Sequence, residues 1–336
     1  MTKQIITVTQ AFSKQGLGVV YALLDSGKFK VRTTTSRKDT EEGEALKKKY
    51  GDNVEVLVIQ NTKQDYLNAF NGAHGVFLIS PTISYEDPDF LLKEINGVKE
   101  IVDIAVESKV KHLIFSSLDR PPKEAQEEFK DVLIWTPRSE LEDYIKTLPI
   151  HSSFVSIGYF YSNFLEYYAP TFEEDGALVF SLPGTPGDQL LPYADALVTP
   201  GLAARDLFIE FLESPKTSDN GQHLQIVSEY LSGNQMAEIF QRVTGKKAIY
   251  RQQNKEDYLA FLSSIGLNQT GKVLLSIFEY PIKYGYFHQT DDTKTKIYKP
   301  TTPTIETYEQ FLQHSNWKGE SIKDFKSTFL KSYKYL

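Results

Sequence analysis

From Thr9 to Gly18 the chain reads Thr-Gln-Ala-Phe-Ser-Lys-Gln-Gly-Leu-Gly, directly after the apolar run Ile5-Ile6-Thr7-Val8. A helical pattern follows from about Gln15 to Leu24, so this stretch is a turn that opens a helix. Such a turn collects anions, because the first helical N–H groups lack partners and the helix dipole is positive there. Ser13 is small, can cap the helix and can donate to a phosphate, while Lys14 adds a cation beside the helix N-terminus. A second group, Thr34-Thr35-Ser36-Arg37-Lys38, carries two cations and no acid where a second strand ends. An acid at that place accepts from a ribose 2′-OH, whereas a basic residue such as Arg37 suits a 2′-phosphate. The bland alternative for Arg37 and Lys38 is a solvated charge pair on a loop. A third group is hydroxylic: Ser80 in Ile79-Ser80-Pro81-Thr82, and Ser116-Ser117. Both lie at the carboxyl ends of apolar runs, where they either line a cleft or end strands with local hydrogen bonds.

Other chemistries have little to stand on. There is no cysteine, which excludes disulfides, thiolate nucleophiles and cysteine-bound metals. The six histidines are scattered without paired ligand spacing, so no metal is expected. No Gly-x-Ser-x-Gly elbow and no Gly-Lys-Ser/Thr phosphate loop occurs. The formal net charge of −7, from 37 basic and 44 acidic residues, argues against direct binding to nucleic acid. It leaves open a partner protein that itself binds DNA. No run of about 18 apolar residues is present, so no membrane span is expected. The start, Met-Thr-Lys-Gln-Ile-Ile-Thr-Val, does not read as a signal peptide. The expected location is the cytoplasm, with the nucleus open as a second one.

The elements that position these residues alternate strand and helix, the signature of βαβ units around a parallel sheet. Strands are expected at Ile5–Val8, Lys30–Thr35, Val54–Val58, Gly75–Ile79, His112–Ser116 and Ser153–Ile157. Helices are expected over Glu41–Tyr50, Phe90–Ser108 and Arg138–Lys146, with a short one at Tyr66–Phe70. The fold class is therefore α/β: a Rossmann-type doubly wound parallel sheet with a smaller mixed α/β C-terminal domain. After Gly158 prolines and aromatics multiply, which sets the domains at 1–158 and 159–336. Segments between 178 and 228 are expected to add strands to the sheet, near Leu178–Phe180 and Leu224–Val227. The tail from Lys318 onward, with Lys323, Lys326, Lys331 and Lys334, reads as a solvated helix end.

The turn also carries a resemblance. NmrA-like proteins, an atypical branch of the short-chain dehydrogenase/reductases, have Gly-x-x-Gly-x-Gln-Gly here, and this chain keeps Gln15-Gly16 and the spacing. Two of the family glycines fall on Gln10 and Ser13. Further matches follow in order: Phe29-Lys30-Val31-Arg32, Phe70-Asn71-Gly72-Ala73, Phe115-Ser116-Ser117, Trp135-Thr136-Pro137-Arg138, Gly158-Tyr159-Phe160-Tyr161-Ser162-Asn163-Phe164, and Thr304 to Leu312. The resemblance implies a dinucleotide site preferring NADP(H), in proteins that often sense the cofactor rather than turn it over. It places that site on Gln10, Phe12, Ser13, Lys14, Gln15, Gly16, Arg37, Ser80, Arg138 and Tyr159.

Gln10 and Ser13 put side chains where the family has bare backbone, so NADP(H) is expected to bind weakly or not at all. None of the twenty tyrosines has a lysine four residues on, and the matching pair is Ile134 and Arg138. Arg138 keeps a positive charge for a ribose or phosphate, or else simply pairs with Glu142 one turn on. The expectation is a non-catalytic NADP(H)-sensing regulator that works through a protein partner. The alternative is an NADP(H)-dependent reductase of a small carbonyl or quinone.

Overall fold

A computed structural model describes residues 3–38, 41–166, 168–216, 218–287, 295–300 and 306–320. The lysines expected to form a solvated helix end after Glu320, with Thr304, Ile305 and His288, lie outside the described residues.

Strands β1 (Gln4–Val8), β2 (Phe29–Thr35), β3 (Val54–Val58), β4 (Gly75–Leu78), β5 (His112–Ser117) and β6 (His151–Ile157) alternate with helices α1 (Lys14–Asp25), α2 (Glu41–Tyr50), α3 (Lys63–Phe70), α4 (Phe90–Glu107), a short α5 (Lys123–Glu128) and α6 (Trp135–Lys146). β4 and β5 are buried along their whole length, as strands covered by helices on both faces must be. Ser13 caps α1 by accepting from the N–H of Gly16, and Thr62 with Asp65 forms a capping box on α3.

The second half returns to the same sheet. After β7 (Tyr159–Phe160), β8 (Thr171–Phe172), β9 (Leu178–Phe180) and β10 (Leu191–Ala194), helix α7 (Thr199–Glu213) leads into β11 (Gln222–Ile226). There follow β12 (Glu229–Leu231), α8 (Gly233–Thr244), β13 (Ala248–Tyr250), α9 (Lys255–Ser264), α10 (Asn268–Tyr284), β14 (Thr295–Ile297) and α11 (Tyr308–Ser315). Among the described residues the large sheet has the order β14-β11-β6-β5-β4-β1-β2-β3, and every pair in it is parallel. Of the two segments expected to add strands, Gln222–Ile226 pairs with β6, whereas Leu178–Phe180 pairs with β13 and β8 in a small separate sheet. A third sheet is β12-β10-β7.

The chain reverses its direction of travel across the large sheet between β1 and β4, the switch point where open α/β sheets leave a crevice at the strands' carboxyl ends. The Thr9 hydroxyl holds the two strands together there: it donates to the Ile79 carbonyl and accepts from the Ile79 N–H at 3.0 and 2.8 Å. One core layer packs α1 and α7 on the sheet, and a second packs α3, α4 and α6 on its other face. α1 meets α7 backbone to backbone. A Cβ on Gly18 would stand 2.3 Å from the Leu197 carbonyl oxygen, and one on Gly201 2.3 Å from the oxygen of Gly18. A third, aromatic core holds the C-terminal part together around Tyr161, Phe180, Phe240 and Trp317.

Candidate functional site

The turn after β1 is built tightly. Gln10 has φ +47°, the left-handed region that costs a side chain about 1–2 kcal/mol and glycine nothing. The Gln10 carbonyl accepts from the N–H of Ser13 at 2.9 Å. It also lies 2.4 Å from where a Cβ on Gly16 would sit, so Gly16 is needed for the turn to close on the helix. Ser13 spends its hydroxyl on the cap. Among the described residues no acceptor lies on the N–H groups of Lys14 and Gln15, which leaves two donors at the start of α1.

The side chains that follow divide. Gln15 is buried, and its amide exchanges hydrogen bonds with the Ser116 hydroxyl at 2.9 and 3.0 Å, tying the turn to the end of β5. Lys14, expected as a cation beside the helix N-terminus, opens α1 and has partners of its own. It pairs with Glu166 at 2.6 Å and donates to the Ser162 carbonyl. Burial pulls its pKa below the ordinary lysine value against the opposing pull of Glu166. Arg37 reaches back from the end of β2 to the same turn. It donates to the Phe12 carbonyl at 3.1 Å, with its guanidinium 6.0 Å from the Phe12 ring. Phe12, Ser13 and Arg37 thus come together, while Ser80 stands after β4 with a hydroxyl that has no partner among the described residues.

At the carboxyl ends of β5 and β6 lies a cavity of about 180 Å³, lined among others by Gln15, Ser116, Ile134, Arg138, Tyr159 and Tyr286. Arg138 is not paired with Glu142. Its Nε donates to Glu94 on α4 at 3.1 Å. Tyr159 donates its hydroxyl to the Ile277 carbonyl, and Tyr286 donates to the Ile157 carbonyl at 2.6 Å. Burial pushes the phenols of Tyr159 and Tyr286 above the usual range. Tyr161 donates to Glu229 at 2.7 Å, and burial with that carboxylate beside it pushes it up too.

Glu142 is engaged elsewhere, in a buried group that scanning the histidines for metal spacing does not find. His223 on β11 has Nδ1 3.2 Å from Glu142 and Nε2 3.2 Å from Asp119, and Nε2 also meets the Ser156 hydroxyl at 2.5 Å. Gln225 donates to the other Asp119 oxygen, and Lys146 lies 3.6 Å from Glu142. Among the described residues no group of three ligands could hold a metal, and no helix is long and apolar enough to cross a membrane.

Burial opposes charge on His223, but Glu142 and Asp119 outweigh it and push its pKa up to about 10. A group raised above its unfolded value near 6.5 stabilises fully below that value, and the contribution fades as pH rises through the folded one. Burial lowers the pKa of His74 and of His112, so their contribution is full above about 6.5 and fades below it. Stability is therefore expected to peak near neutrality. It should fall by up to about 1.4 kcal/mol per pH unit between pH 7 and 9 on account of His223. Denaturant melts of wild type and His223→Gln check this. The variant should be less stable at pH 7 with a flatter alkaline limb, and parallel limbs would refute the assignment.

The Rossmann order, the switch point and the tight turn that closes on Gly16 at the start of α1 define a chain of the NAD(P)-binding fold type. The model of the NmrA-like family matches residues 2–312, and the chain belongs to that family. It is similar to an NmrA-like family domain-containing protein of Dictyostelium discoideum, 28% identical over 257 residues, covering 75% of this chain and 80% of that one. It is also similar to the NmrA-like family domain-containing oxidoreductase lnaB of Aspergillus flavus, 28% identical over 266 residues, covering 74% and 75%. Among solved structures it resembles NmrA, a negative transcriptional regulator, in complex with NADP. There the TM-score is 0.60 at 22% identity over 74% of each chain, which speaks for the fold alone.

The residues fit a dinucleotide in two respects. The open N–H groups of Lys14 and Gln15 suit a pyrophosphate at the α1 N-terminus. Arg37, folded against Phe12, suits a 2′-phosphate.

Proposed function

We propose that this protein is an NADP(H)-binding regulator that acts through a protein partner and does not itself transfer hydride. The observation that carries the reading is the fate of the hydroxyls in the cavity. Tyr159 and Tyr286 donate to backbone carbonyls, and Ser116 is locked to Gln15. No phenol there is poised to give a proton to a carbonyl oxygen, because donation elsewhere and burial both hold the proton on tyrosine. Where the usual route has a tyrosine and, four residues on, a lysine, this chain has Ile134, just before α6, and Arg138. A curated relative that is 29% identical over 191 residues, 55% of this chain and 50% of that one, is the nitrogen metabolite repression protein nmrA of Emericella nidulans, which supports the same reading. The second reading, a reductase, draws on the relative named as an oxidoreductase and on the aromatic cavity beside the turn.

NADP(H) rather than NAD(H) follows from Arg37, since a charge-assisted contact to a phosphate contributes about 1.5–3 kcal/mol. Fluorescence titration should show NADPH bound at least tenfold more tightly than NADH. Arg37→Ala should bring the two together. Equal affinities in the wild type would mean that Arg37 only braces the turn.

A further inference from the structure

We infer that Trp135, Tyr280 and Tyr284 form a relay that carries single electrons from the surface to the cavity wall. The substrate it serves is a one-electron oxidant met at that wall, an oxygen-centred radical of the peroxyl class. The relay needs no dinucleotide, so it does not rest on the regulator reading.

Placement comes first. Trp135 opens α6 and lines the cavity. Its ring centroid lies 5.0 Å from that of Tyr280 on α10. Tyr284, one turn on in the same helix and partly exposed, stacks on Tyr280 at 6.1 Å and 29°. Both pairs lie within the roughly 4.5–7 Å of touching rings, close enough for an electron to cross directly.

Protons set the direction. An oxidised indole or phenol is a strong acid, and it keeps its oxidising power until a base takes the proton. Among the described residues the indole N–H of Trp135 has no acceptor, so an oxidised Trp135 draws its electron from a neighbour. Tyr284 donates its hydroxyl to Glu128 at 2.7 Å, a carboxylate that Lys283 also holds. A second branch from Trp135 meets Tyr286 and Tyr159, which donate to backbone carbonyls too weakly basic to take a proton. That branch reaches a carboxylate, Glu229 on Tyr161, only at its fourth ring. Tyr284 is the second ring on the first branch, and solutes can reach it.

The peroxyl radical takes one electron from Trp135 and a proton from water, and leaves as a hydroperoxide. Tyr280 refills Trp135, and Tyr284 refills Tyr280. The Tyr284 proton passes to Glu128, leaving a neutral phenoxyl. A thiol in solution returns the electron and releases its own proton to water, while Glu128 hands its proton back.

Flash photolysis of the full chain at the red edge of the indole absorption tests this, with pentaamminechlorocobalt(III) taking up the ejected electron irreversibly. The chain has two tryptophans, and Trp317, whose ring packs on Phe180 and Phe240, is the internal control. In the wild type the indole-radical absorbance should give way to that of a phenoxyl. Trp135→Phe should remove the phenoxyl and leave the long-lived radical of Trp317. Tyr280→Phe should lengthen the life of the Trp135 radical by about tenfold or more, and Tyr286→Phe should not. Glu128 is exposed, so Glu128→Gln spares the packing, yet it should slow phenoxyl formation by about tenfold. Rings that merely pack together would not respond to that change. No phenoxyl in the wild type, undiminished phenoxyl in Trp135→Phe, an unchanged radical lifetime in Tyr280→Phe, or an unchanged rate in Glu128→Gln would overturn the relay.

Discussion

A Gln10→Gly, Ser13→Gly double variant should bind NADPH more tightly than the wild type, on the order of a hundredfold, or about 2.7 kcal/mol. Both positions carry glycine in the family pattern, where bare backbone lets a pyrophosphate approach the start of α1. Gln10 holds a left-handed conformation that glycine adopts without cost, so the turn keeps its path when the side chain goes. Ser13 contributes a cap to Gly16, and replacing a cap by glycine costs only a few tenths of a kcal/mol. The fold should therefore survive, with thermal stability close to that of the wild type, and the gain should appear in calorimetric affinity. Unchanged or weaker affinity in a well-folded double variant would show that these side chains do not crowd the ligand.

The Rossmann half was legible because its signals are periodic and local. Apolar runs such as Val54–Val58 and the charged pattern Glu41–Tyr50 are strand and helix with the same bounds in the structure. The start of α6 falls earlier than the expected Arg138: the helix begins at Trp135, with Pro137 in its first turn, where a missing N–H is harmless. The side-chain partners were less legible, since they are set by tertiary placement. Arg138 and Glu142 are one turn apart, and sequence spacing pairs them. In the structure Arg138 turns to Glu94 on the neighbouring helix, while Glu142 turns to His223. Lys14 looks like a free cation beside a helix N-terminus until Glu166, some 150 residues on, folds against it. Asp119, Glu142 and His223 share no local spacing at all. Only the return of the chain as β11 beside β6 brings them together.

The largest effect expected of this chain is a missing one: hydride transfer by the usual short-chain dehydrogenase route. That route needs a tyrosine as general acid and a lysine four residues on, stacked on the same helix face. Ile134 offers no proton. Arg138 stays protonated at any working pH and presents a planar fork already anchored to Glu94. Tyr159 and Tyr161 would be the substitute acids, but each donates its hydroxyl within the protein, and burial raises the pKa of both. The direct measurement is NADPH oxidation, followed by absorbance, with a panel of aldehydes, ketones and quinones at protein concentrations where NADPH binding is seen. The expected result is saturable binding with no turnover above the rate without protein. Turnover at about 1 s⁻¹ or faster, within the ordinary enzymatic range, would contradict the regulator reading. If Tyr159→Phe or Tyr161→Phe then abolished it, that tyrosine would be identified as the acid.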